Sequence, residues 1–80
     1  MSDSVVTVYS KKPCVQCDAT FRKLDGLGVD YKVADATTEE NLAYLKDLGY
    51  QQAPVVTVEK DGFMIDSWSG YIPDKVLELV

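Results

Sequence analysis

The residues best suited to chemistry are the two cysteines, Cys14 and Cys17, in the stretch "KKPCVQCDATF" from Lys11 to Phe21. Val15 and Gln16 separate them. A structural zinc site needs four thiolate or imidazole ligands, and this chain has 2 cysteines and no histidine. A disulfide closing so short a loop would contribute only roughly 2 kcal/mol as a staple. With no histidine there is also no Cys–His pair for nucleophilic acyl transfer. Thiol–disulfide exchange is the chemistry left to a thiolate: one sulfur attacks a disulfide, a mixed disulfide forms, and the second sulfur resolves it.

The spacing also divides the roles. Cys14 follows a proline at the start of a predicted helix, where unpaired backbone N–H groups and the helix dipole favour an anion. A free thiol with a pKa of ~8.5 is only a few per cent ionised at pH 7, so such a position matters for reactivity. Lys11 and Lys12, one of two adjacent basic pairs, stand just ahead of Pro13 and Cys14. Cys17 lies one turn along and reaches the same side of the helix. Cys14 is therefore the expected attacking thiolate and Cys17 the resolving thiol.

Those positions depend on the elements around them. Val5 to Tyr9, "VVTVY", is a β-branched and aromatic run that predicts a buried strand, broken by "SKKP". From Cys14 a helix is predicted, with Cys17, Phe21, Leu24 and Leu27 on one face and Gly28 at its end. Asp30 to Asp35 predicts a second strand. Thr37 and Glu40 have capping-box spacing, so a second helix is predicted there, with Leu42, Leu45 and Leu48 as its apolar stripe and Gly49 closing it. "VVTVE" from Val55 predicts a third strand, Asp61-Gly62 a hairpin turn, and "FMIDSW" a fourth strand. Pro73 suits the first turn of a last helix whose buried side would be Val76, Leu77 and Val80. The order β-α-β-α-β-β-α, with a right-handed crossover between parallel strands and an antiparallel closing hairpin, predicts an α/β fold with a mixed four-stranded sheet.

Composition bounds the function. Eighty residues predict one domain spanning 1–80, too small for a deep cavity holding a large cofactor, and no cofactor is expected. The net charge of −5, from 8 basic against 13 acidic residues, argues against nucleic acid or anionic lipid as a partner. "MSDSVVTVYS" has neither the basic nor the apolar region of a secretory leader, and no apolar run approaches the ~20 residues needed to span a bilayer. The chain reads as cytoplasmic, a reducing compartment in which permanent disulfides are rare.

Two further stretches stand out. "QQAPVV" places Pro54 directly before a predicted buried strand, where a strand-entry proline is the ordinary reading and a cis-proline the sharper one. "SWSGYIPD", Ser67 to Asp74, sets the only tryptophan among Ser, Gly and Tyr at a strand-to-helix turn. From "VTVYSKKPCVQC" through "APVV" to "WSGYIPD" the chain resembles, end to end, the NrdH-redoxins, glutaredoxin-like members of the thioredoxin superfamily. The combination of "CVQC", "APVV" and "WSG(F/Y)xPD" carries the likeness.

The resemblance implies a thioredoxin-like fold with strand order 2-1-3-4 and three flanking helices, a cis bond before Pro54, and a redox pair at Cys14 and Cys17. It implies electron donation to class Ib ribonucleotide reductase, re-reduction by thioredoxin reductase with NADPH, and a monomer. The candidate partner-contacting residues are Lys12, Val15, Gln16, Ala53, Pro54, Trp68, Ser69 and Gly70; the backbone of Ala53 would pair with the substrate chain as an added strand. Ordinary glutaredoxins carry C-P-Y-C, a Thr-Val-Pro segment and a Gly-Gly turn that help hold glutathione; "CVQC", "QAP" and "SWSGY" depart from all three. Tyr71 stands where Phe is more usual in the family. A glutathione-dependent glutaredoxin stays open as an alternative. A copper chaperone is a further one, since two thiolates in a strand-to-helix loop suit Cu(I). Such carriers resemble M-x-C-x-x-C on a β-α-β-β-α-β frame, whereas here Lys12 stands at the Met position and the element order differs.

Overall fold

Val5–Ser10 forms strand β1, whose Val6 and Val8 point to one side while Tyr9 points to the other. That alternation is the pleat repeat of a strand, and it gives β1 two buried residues for one sheet face and a half-buried one for the other. In the computed structural model, which describes residues 4–80, β1 is followed by helix α1 (Val15–Leu27), strand β2 (Lys32–Asp35), helix α2 (Glu39–Asp47), strands β3 (Val55–Lys60) and β4 (Phe63–Ser69), and helix α3 (Pro73–Leu77). The start of "MSDSVVTVYS", in which no leader is read, lies outside the described residues.

The sheet order is β2-β1-β3-β4. β1 and β2 are parallel, with α1 as their crossover, and β3 is antiparallel to both β1 and β4. The order and the thioredoxin-like arrangement are those expected from the sequence. β3 is central, so its run Val55, Val56, Thr57 and Val58 is buried on both faces. On one face Val6, Val8, Val56, Val58 and Trp68 pack under Leu24 of α1 and Val76 of α3, with Phe21, Leu27 and Leu79 filling the margin. On the other, Val55, Ala36 and Leu45 form a smaller cluster edged by Tyr9, Leu48, Tyr50 and Ala53. Asp61 and Gly62 turn the hairpin with φ of 54° and 83°, the paired left-handed geometry that a two-residue turn between twisted strands requires.

Several expectations need correction. α2 is capped by Thr38, not Thr37: Thr38 Oγ1 accepts the Asn41 N–H at 3.2 Å. Thr37 instead gives both its hydroxyl and its N–H to the Asp35 carboxylate, and these bonds hold that carboxyl below the usual carboxylate range. Leu42 is 55% exposed; one short helix covers this face, and only Leu45 of the expected stripe is buried, with Leu48 at its edge. In α3, Val76 is buried but Leu77 is exposed and Val80 is 72% exposed, while Leu79 reaches the core. Val76 and Leu79 share a face by their three-residue spacing, and Leu77 is turned away by 100° from Val76. β2 begins at Lys32, two residues later than predicted.

Candidate redox site

Cys14 is the N-cap of α1. Its backbone is extended, its carbonyl accepts the Asp18 N–H at 3.1 Å, and its Sγ accepts the Cys17 N–H at 3.1 Å. A sulfur here takes the place usually held by a serine or aspartate oxygen, so one free N–H of the first turn points at it. When the pair is reduced, that donor and the helix dipole favour the thiolate at Cys14 over a thiolate deeper in the helix. Cys14 and Cys17 form a disulfide with a Cα–Cα separation of 5.2 Å. Cys14 is half-buried, whereas Cys17 is 1% exposed. An incoming group can therefore reach the first sulfur and is shielded from the second.

The remaining candidate residues fall on three segments. The loop before α1 carries exposed Lys12, joined to Pro13 by a cis peptide bond that no sequence signal anticipated. Val15 is 84% exposed beside the disulfide, an apolar side chain offered to solvent. Lys11 and Lys12 form no ion pair among the described residues. The second segment precedes β3: the Ala53–Pro54 bond is cis, as the family resemblance implies and the strand-entry reading did not require. Pro54 is buried, and Ala53, two residues before the first ladder residue Val55, has no backbone hydrogen bond to the rest of the described chain.

The third segment leaves β4. Ser69 Oγ donates to the Gln52 carbonyl at 2.8 Å, and the Gly70 N–H donates to the Pro54 carbonyl at 2.8 Å, prolonging the β3–β4 pairing past its last register pair, Val55 with Ser69. The Tyr71 N–H donates to Gln16 Oε1 at 3.0 Å. These bonds connect the cysteine turn to residues 69–71, and residues 69–71 to the proline loop.

Trp68 corrects the expectation of a partner-contacting side chain. It is 5% exposed, packed in the main core opposite Val56, so it positions Ser69 and Gly70 and presents no ring to a partner. Lys75 of α3 lies 5.5 Å from the centroid of its ring and pairs with Asp66 at 2.6 Å and with Glu78 at 3.3 Å. The Asp66 carboxylate beside it raises the Lys75 ammonium above the ordinary lysine range. This brace between β4 and α3 was not anticipated. Nor was Thr20, fully buried, whose hydroxyl donates to the Gln16 carbonyl at 2.9 Å; its four-residue spacing was the signal available.

Gly70 has φ of +86°, and a Cβ built there would lie 3.2 Å from Gln16 Oε1. Gly70→Ala is expected to lose about 1–2 kcal/mol in urea unfolding, from the left-handed backbone alone. The close approach to Gln16 should add a slower protein-disulfide reduction on top of that loss. A variant as stable and as fast as wild type would show that this turn tolerates a side chain.

Comparison with known proteins agrees with the site. The glutaredoxin family model matches residues 6–63. The glutaredoxin-like protein NrdH of Escherichia coli K12 is 35% identical over 75 residues, covering 92% of this chain and 86% of that one. The chain belongs to the glutaredoxin family, in its NrdH-redoxin group. The structure of E. coli NrdH-redoxin, a glutaredoxin-like protein described by its thioredoxin-like activity profile, superposes with a TM-score of 0.82 at 34% identity over 95% of both chains. Thioredoxin f2 of Chlamydomonas reinhardtii, at 18% identity and a TM-score of 0.74 over 96% of this chain and 75% of its own, shares the fold. As an NrdH-redoxin with a disulfide-forming C-x-x-C pair, the chain is a thiol–disulfide oxidoreductase. No helix among the described residues is long and apolar enough to cross a membrane.

Proposed function

We propose that this protein is the cytoplasmic dithiol electron donor of a class Ib ribonucleotide reductase, acting as a monomer and re-reduced by thioredoxin reductase with NADPH. The observation that carries the reading is the likeness to E. coli NrdH-redoxin across nearly the whole of both chains, together with the thioredoxin-like activity described for that protein.

In the reduced protein the Cys14 thiolate attacks one sulfur of the partner's disulfide. A Cys14–partner S–S bond forms, the partner S–S bond breaks, and the other partner sulfur leaves as a thiolate that takes up a proton. Cys17 then loses its proton and attacks Cys14 Sγ. The Cys14–Cys17 bond forms and the second partner thiol is released, so two electrons and two protons pass from dithiol to disulfide. Shielded Cys17 acts only in this internal step, which its distance along one helical turn permits. The unpaired backbone of Ala53 supports the partner chain's entry as an added strand, with Val15 and Lys12 at the rim.

The test is reductant preference. Turnover with NADPH and thioredoxin reductase is expected to exceed turnover with glutathione and glutathione reductase, and the reduced protein should sustain deoxyribonucleotide formation by its cognate class Ib enzyme. Preference for glutathione would replace this reading with that of a glutathione-dependent glutaredoxin.

A further inference from the structure

The geometry points to Gln16 as a positioning residue: its carboxamide latches the cysteine-bearing turn to residues 69–71 and so sets how a protein disulfide seats between Cys14 and the Ala53–Pro54 segment. This inference rests on the thiol–disulfide exchange assigned to Cys14 and Cys17.

Gln16 stands between the two cysteines on an exposed helical turn. A glutamine side chain free in solvent keeps about 1.5–2 kcal/mol of rotamer entropy, so an exposed one held in place needs a partner that holds it. That partner is the Tyr71 N–H, 55 positions along the chain, at 3.0 Å. A backbone N–H can only donate, so the carbonyl half of the carboxamide must face it. Its Nε2 makes no hydrogen bond within the described chain. A second observation agrees independently. Gly70 leaves space where any Cβ would sit 3.2 Å from the same Oε1, so the one residue type without a side chain occupies the point nearest the latch.

The consequence follows from what is tied to what. Residues 69–71 are bonded to the proline loop through Gly70 to Pro54 and Ser69 to Gln52. Gln16 supplies the remaining tie, from that unit to the turn holding Cys14. On this side the loop 11–13 is exposed and offers no ion pair among the described residues to fix it. A partner that lays its backbone along Ala53 while its disulfide meets Cys14 touches both units at once, so their spacing enters its binding. The electron-transfer step itself involves only sulfurs and is not altered by the latch.

The experiment compares wild type, Gln16→Leu and Gln16→Glu in reducing insulin disulfides with dithiothreitol as electron source, and follows the Tyr71 amide by NMR. Leucine keeps the bulk and removes the acceptor; glutamate keeps an oxygen that can accept the same N–H. Gln16→Leu is expected to raise KM for insulin about fivefold, the worth of one hydrogen bond, with kcat changed less than twofold. Its Tyr71 amide proton should move upfield. Gln16→Glu should return KM and the amide shift toward wild type. An unchanged KM, an unchanged Tyr71 amide, or a fall in kcat equal to the rise in KM in the leucine variant overturns the latch. Failure of the ribonucleotide reductase reading would leave these results untouched, because neither that enzyme nor thioredoxin reductase takes part.

Discussion

Cys14→Ser abolishes disulfide reduction, and Cys17→Ser stops it half-way: this pair of results is the largest effect expected for the protein. A serine hydroxyl stays protonated at neutral pH and is a poor nucleophile toward sulfur, so the first variant should lose roughly three orders of magnitude in turnover or more. Misfolding would not account for the loss. Serine is among the best N-cap residues, and its oxygen can take the Cys17 N–H that Cys14 Sγ accepts at 3.1 Å. In Cys17→Ser the half-buried but reachable nucleophile Cys14 remains, so the first exchange proceeds and the mixed disulfide persists. It should run as a higher-mass species on a non-reducing gel and vanish with dithiothreitol. The asymmetry comes from burial: Cys17 is 1% exposed and cannot take the first step in place of its neighbour. Full turnover by either single variant would show the roles to be wrongly divided.

Leu24→Ala should be the most damaging conservative change outside the site. Leu24 is fully buried between α1 and the sheet, with Val8, Val56, Trp68 and Val76 in its cluster. Removing such a side chain costs about 2–5 kcal/mol in lost transfer and cavity terms. A protein of this size has only about 4–12 kcal/mol of stability to lose. The melting temperature of the oxidised protein is expected to fall by roughly 8–40 °C, at about 4–8 °C per kcal/mol. Leu42→Ala is the matched control: that side chain is mostly in solvent, and its loss should stay within about 0.5 kcal/mol. Comparable midpoints in urea for the two variants would contradict the burial difference on which the argument rests.

Both predictions trace to features that differ in how far they could be read without coordinates. The strand runs, the Asp61-Gly62 turn, the Gly28 helix end and the cysteines at a helix start are written in residues within a few positions of one another. Each depends on local backbone preference, so the elements and their order were legible. Which apolar residue faces inward was legible where the sheet face is fully covered, as for Leu24 and Val76, and not where a single nine-residue helix covers it, as for Leu42. Thr37 and Thr38 are both able to cap, and the Asp35 carboxylate, two residues before Thr37, engages Thr37 and leaves Thr38 as the cap.

By itself, then, the sequence determined the chemistry at "CVQC". Two thiols three residues apart at a helix start, with no histidine to divert them, can exchange with disulfides, and the chain's resemblance to its family named the kind of donor. Tertiary structure alone decided that Cys17 is sealed while Cys14 is reachable, and that Gln16 reaches Tyr71. The physical reason is distance along the chain. Caps and turns are settled by neighbours within about four residues, whereas burial and a hydrogen bond spanning 55 positions exist only once strands and helices have packed.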